Sequence, residues 1–264
     1  MRGIDFFGDE EVADHEDGML GRYLENSFAS ILEKHSHLHE RLYFMLVDLA
    51  RRNVKVPKLA VNAIILSCGR LSKVDKAFAT FQEYDLIFKL GQPKRSTFNS
   101  LLGAVARSSA PSSLGMLSVM QDMDDANAAA VAKGSSAVTP DSLTHALLLE
   151  VLAQKLDAAI QSGDQKERSS VCAIVDELVE MLSSQSHCIN CIGGPLARSL
   201  RRLVIVYTKA GDETVATRLM SLLGYDDEGD NVVPRHFKNR LQALKRNPTE
   251  ENKSILIEPT SAMD

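Results

Sequence analysis

Residues 58–107, KLAVNAIILSCGRLSKVDKAFATFQEYDLIFKLGQPKRSTFNSLLGAVAR, decide the fold. Val61, Ile64, Ile65 and Cys68 fall at i, i+3, i+4 and i+7, the apolar stripe of a helix. Arg70-Leu71-Ser72-Lys73 reads as a turn. Ser72 is expected to cap a second helix, with Asp75 near its positive end. Val74, Ala77, Phe78, Phe81 and Phe88 supply that helix's stripe. After Leu90-Gly91-Gln92-Pro93 the first spacing returns at Phe98, Leu101, Leu102 and Val105, and Phe98-Asn99 echoes Val61-Asn62 after 37 residues. A period of that length predicts stacked helical hairpins, none of which buries its apolar face alone.

Working outward, Leu24, Phe28, Ile31 and Leu32 predict a helix from Leu20 to about Lys34. The run His35-Ser36-His37-Leu38-His39 is expected to break it. Leu42, Met45, Leu46 and Leu49 then give another helix to Arg52, which makes a divergent first hairpin. Downstream, Pro111 suits a first helical position, and Leu114, Leu117, Met120 and Met123 continue as a partner helix. Residues 124–137, rich in Ala, Ser and Gly, read as an insertion, partly helical or mobile. Val138-Thr139-Pro140-Asp141 precedes a long helix from Leu143; a turn at 161–164 and a partner helix over 171–182 follow. A polar loop at 183–195 ends in Pro195. Leu196, Leu200, Leu203, Val204 and Tyr207 make another stripe, paired across Lys209-Ala210-Gly211-Asp212 with Val215, Ala216, Leu219, Met220 and Leu223. An acidic loop, a short basic helix over 234–246 and a flexible tail close the chain. No stretch alternates with period two, so the expected fold is all-α. The expected organisation is an acidic disordered leader at 1–20, a helical array at 21–225 and a terminal segment at 226–264.

Bulk properties narrow the function. Of 264 residues 44% are hydrophobic, ordinary for a globular chain. No uninterrupted apolar run approaches the ~18 residues of a membrane span. The net charge is −5, of which residues 1–20 hold −6, so the body is close to neutral. An acidic start is the opposite of an organellar presequence, so import by one is not expected unless it has been removed; cytoplasmic residence is open. Four cysteines in a chain this long suggest a reducing compartment rather than a disulfide scaffold, with Cys68 as a core residue.

Candidate chemistry is sparse. His187, Cys188 and Cys191 offer three zinc ligands, and a fourth would have to come from a distance, as from His236; a pair of loop thiols is the plainer reading. His35, His37 and His39 alternate, and only His35 and His39 would share a helical face. Asp226, Asp227, Glu228 and Asp230 lack the ligand spacing of a calcium hand. No phosphate-cradling Gly-Lys-Ser/Thr, dinucleotide fingerprint or Gly-x-Ser-x-Gly is present. Neither a cofactor nor a catalytic centre is expected.

The hairpins resemble the pentatricopeptide repeat family. The resemblance rests on Val61-Asn62, Cys68-Gly69-Arg70, Asp75-Lys76-Ala77-Phe78 and Phe81, and again on Phe98-Asn99-Ser100-Leu101-Leu102. Val138 to Thr144, with Ala146, looks like a third unit. Tyr207 to Asp212, with Arg201 and Ala216, looks like a fourth. Steps between equivalent positions (Asn62, Asn99, Ala146, Arg201) are 37, 47 and 55 residues, longer than the family's unit. The resemblance implies a right-handed α-solenoid, a single-stranded RNA partner and mitochondrial or plastid residence. It also implies that Asn62 with Lys94, and Asn99 with Asp141, address base edges, the latter pair being one the family uses toward uridine. Arg201 takes the base position in the fourth unit. Arg70, Arg107 and Lys209, eight positions beyond Asn62, Asn99 and Arg201, would meet phosphates, while Gln154 misses. Leu59 and Ser96 would flank the bases.

A cation at a fixed helical offset from a base-reading amide suits a phosphate chain. The expected function is therefore RNA binding in processing, stability or translation. The alternative is a tetratricopeptide-like protein scaffold, favoured by the neutral body and the Met116–Met123 stretch. An enzyme that docks RNA, as in protein-only RNase P, would need a metallonuclease domain that this sequence does not show.

Overall fold

The computed structural model describes residues 19–109, 112–184 and 194–223. Ten α-helices and no strand occur among them. The helices are α1 Met19–Lys34, α2 Ser36–Arg51, α3 Lys58–Ser67, α4 Val74–Leu86, α5 Arg95–Arg107, α6 Ser113–Ala132, α7 Ser142–Ser162, α8 Gln165–Ser184, α9 Pro195–Lys209 and α10 Glu213–Leu222. The protein is all-α. The chain divides into two compact units, residues 1–151 and 152–264, with the boundary inside α7.

In the first unit the odd-numbered helices pack side by side. α3 lies against both α1 and α5, while α4 and α6 back onto α3 and α5. Eight of the ten residues of α3 are buried, as expected of a helix apolar on all sides. The α3–α5 approach is close because glycines face it. A Cβ on Gly69 would lie 2.3 Å from the Ala104 carbonyl oxygen, and one on Gly103 would strike the Leu66 side chain. Across α2 and α4 the Tyr43 hydroxyl donates to Glu83 at 2.7 Å, and burial pushes the phenol up to about 12.

Several sequence expectations are corrected. The histidine run does not break the chain for long, because only His35 is non-helical and α2 already begins at Ser36. His39 is fully buried, its Nε2 3.3 Å from both the Ile64 carbonyl and Cys68 Sγ, so it shares no open face with His35. Ser72 does not cap α4. It adopts φ +55°, and Lys73 precedes the helix without a side-chain cap. Of the stretch 124–137, residues 124–132 are helical and form the end of α6. Most consequentially, the α1 stripe is buried only at Leu32. Leu24, Phe28 and Ile31 are exposed, and Leu32 shares the buried side with Glu25 and Ala29.

Burial of histidine makes the first unit sensitive to mild acid. Burial holds the His39 ring below its ordinary 6.5, with Lys73 and Lys76 adding to that and the Ile64 carbonyl and Glu40 opposing it. Burial likewise lowers His145, against the pull of Asp141. The unfolded chain takes up these protons near pH 6.5 and the folded chain does not, so stability is full above that pH and declines as pH falls through it. Urea midpoints at about pH 7.5 and 5.5 should show the decline. His39→Asn, which keeps a donor for Ile64, should remove part of it; an unchanged difference would refute the assignment.

In the second unit α9 packs on α10. Leu196, Leu200, Leu203, Val204 and Tyr207 are buried on α9, and Ala216 and Leu219 on α10, the pairing expected from their spacing. Pro195 occupies the first turn of α9, where its missing N–H costs nothing. Asp212 caps α10 by accepting from the Val215 N–H at 3.3 Å.

Candidate nucleic-acid interface

The sequence-derived residues separate into groups with different surroundings. Arg70 and Arg107 converge on one carboxylate. Arg70 Nη1 lies 3.1 Å from Glu33 Oε2, and Arg107 Nη1 lies 3.3 Å from Glu33 Oε1. The Glu33 side chain is 6% exposed, so the pair of bridges sits in a partly desolvated setting, where charge pairing is screened less than at the surface. Arg107 also donates to Asn26 Oδ1 at 2.8 Å. Burial lowers its guanidinium from the ordinary value, and Glu33 works against that.

Asn99 and Asp141 touch each other. Asn99 Nδ2 donates to Asp141 Oδ1 at 3.2 Å. The contact belongs to a closed network, however. Asp141 caps α7 by accepting from the Thr144 N–H at 2.9 Å, while its own N–H donates to Thr144 Oγ1 at 3.0 Å. The Thr144 hydroxyl lies 2.8 Å from Asn99 Oδ1 and 2.9 Å from Asp141 Oδ1. Arg95 and Arg22 stand 3.5 and 4.0 Å from Asp141 Oδ2. Burial works to raise this carboxyl, yet the Thr144 and Asn99 hydrogen bonds, with Arg95, hold it below the ordinary range.

Asn62 is buried on α3, and its Oδ1 has no hydrogen-bond partner. It therefore neither braces the local backbone through that oxygen nor stands open to a ligand. Its sequence partner Lys94 is exposed ahead of α5. Leu59 and Ser96 are half-buried. Arg201 and Lys209 lie in the second unit. Arg201 is half-buried, and Lys209 Nζ lies 3.3 Å from Asp157 Oδ1 with only 8% of its side chain exposed. Ala146 is buried and Gln154 half-buried on α7. His187, Cys188, Cys191, His236 and the acidic loop at 226–230 fall outside the described residues. No cluster of three or more His, Cys, Asp or Glu suited to a metal occurs among the described residues. Nor is any described helix long and apolar enough to cross a membrane.

A cleft of about 450 Å³, solvent included, opens between α1, α5 and the start of α7. Arg22, Glu25, Asn26, Ser96, Asn99, Ser100 and Arg107 supply its polar lining. It holds one predicted base-reading residue and one predicted phosphate cation together.

The residues missed from sequence are the acidic ones on α1. Glu33 stands 37 residues before Arg70 and 74 before Arg107. Glu25, eight residues before Glu33, falls 37 before Asn62, and its Oε1 accepts from the Ser100 hydroxyl. Stepping the repeat once toward the N-terminus would have found both. The first helix of the series carries glutamates where the next two carry amide and cation.

No family model and no curated protein matches the chain. What the coordinates define is an all-helical protein whose first unit places three helices in a 37-residue register around a polar seam.

Proposed function

We propose that this is a non-catalytic, right-handed helical-repeat protein that binds single-stranded RNA along the α3–α5 seam. The observation that supports it most is the placement of Asn99 and Arg107 on one cleft. An amide suited to a base edge and a guanidinium suited to a phosphate line the same opening. Asp141 stands behind the cleft and holds the Asn99 amide in place. With Glu33 in place the seam is nearly neutral, so binding in this closed state is weak and rises when the two arginines are released.

The test is titration of short uridine-bearing RNA at several salt concentrations. Arg70→Gln/Arg107→Gln should weaken binding, and affinity should fall as salt rises, as for any strand held through phosphate contacts. Salt-insensitive binding, or no change in the double variant, would count decisively against RNA.

A scaffold reading rests on a different face. Tyr23, Leu24, Phe28 and Ile31 on α1, with Phe44 and Met45 on α2, are large apolar side chains left 43–65% exposed. The Met116–Met123 stretch supports it less than its composition suggests, because Met116 and Met123 are fully buried. Peptide binding that survives nuclease and is lost in Phe28→Asp would select this reading.

A further inference from the structure

We infer that α1 is a charge-held latch over the RNA seam, and that RNA binds tightly only as α1 gives up its Glu33 bridges to Arg70 and Arg107. The inference rests on the RNA reading above and specifies how that seam is regulated. Its first support is chemical. Glu33 holds the two guanidinium groups assigned to phosphates, offering each a carboxylate oxygen, the same ligand type that a phosphate presents. The second is positional. Glu25 engages Ser100, Asn26 engages Arg107 and Arg22 approaches Asp141, so α1 spans the seam from the α5 C-terminus to the cap of α7.

The third support is what α1 does not bury. Among its described side chains Ala29 and Leu32 are the buried apolar ones, packed toward the enclosed α3, while Tyr23, Leu24, Phe28 and Ile31 face solvent. The large apolar side chains of α1 therefore do not anchor it over the arginines, and on release from Glu33 each arginine exchanges one anionic partner for another.

Anisotropy titrations of a short fluorescein-labelled oligouridylate onto the full chain test the latch. Glu33→Gln should bind on the order of tenfold more tightly than the wild type. Its salt slope should steepen by roughly 1.4, because each of the two released cations adds about 0.7 on a single strand. Glu33→Gln/Arg70→Gln/Arg107→Gln should lose both gains. Equal affinity and slope in wild type and Glu33→Gln would overturn the latch and leave the RNA reading standing. No binding by either would overturn the RNA reading and the latch with it. Should Glu33→Gln fail to fold, hydrogen exchange on the wild type decides: saturating oligouridylate must strip protection from the α1 amides, and unchanged protection overturns the latch.

Discussion

Gly69→Ala is expected to destabilise the first unit by about 2–3 kcal/mol, near the top of the range for overpacking a tight contact. The added methyl would sit 2.3 Å from the Ala104 carbonyl oxygen and 2.8 Å from its Cα. Both obstacles are backbone, so no side-chain rotation relieves them, and α3 and α5 must separate. Because α3 is enclosed on all sides, separation loosens contacts well beyond the mutated residue. Urea denaturation should show a lower midpoint with an unchanged m-value, and Tm should drop by roughly 5–10 °C. Gly91→Ala provides the contrast. Its φ of +73° strains any side chain, but nothing lies within 4 Å, so the cost should stay near 1 kcal/mol. A Gly69→Ala variant as stable as Gly91→Ala would mean that the two helices are not packed as closely as described.

Asp141→Ala should cost a similar amount, about 2–3 kcal/mol, for a different reason. It removes the cap of α7, worth ~0.5–2 kcal/mol, and leaves the Asn99 amide with a buried donor unpaired, worth ~1–3 kcal/mol, the two overlapping. Asp141→Asn keeps an acceptor for the Thr144 N–H and should lose less. The pH response separates charge from capping. The Asp141 carboxyl is held below its ordinary 3.8, so its contribution is complete above that value and lost as pH falls through the lower folded value. The wild type should therefore lose stability more steeply than Asp141→Asn below about pH 4. Parallel acid titrations of the two would refute the role. The experiment also bears on the cleft, since Asp141 holds Asn99, which lines it.

Helix by helix, the apolar spacing between Val61 and Phe98 was enough to locate α3, α4 and α5, and the Pro195 and Gly211 signals placed α9 and α10. These are local matters: a stripe at period 3.6 and a residue tolerating a special backbone angle act within a few residues. The same rule misled at α1. Leu24, Phe28, Ile31 and Leu32 form as good a stripe as any in the chain, yet all but Leu32 face water. Periodicity reports that a helix is amphipathic, not which side its neighbours will take. Ser72 failed similarly, because its hydroxyl chemistry suits a cap while the turn's geometry requires a left-handed residue there.

Pairing is where sequence reasoning ran out. The family resemblance nominated Asn99 with Asp141 as a base-reading pair, and the structure joins the two to each other and to Thr144. The resemblance also nominated Arg70 and Arg107 as phosphate cations without showing that Glu33 already lies between them. The sequence by itself determined that this protein is all-helical, where most of its helices run and that a 37-residue spacing links residues 62, 70, 99 and 107. The tertiary structure alone decided that Glu33 of α1 lies between Arg70 and Arg107. A helix's spacing is written in neighbours three and four residues away. Which charge meets which across 37 or 74 residues depends on how the helices pack against one another.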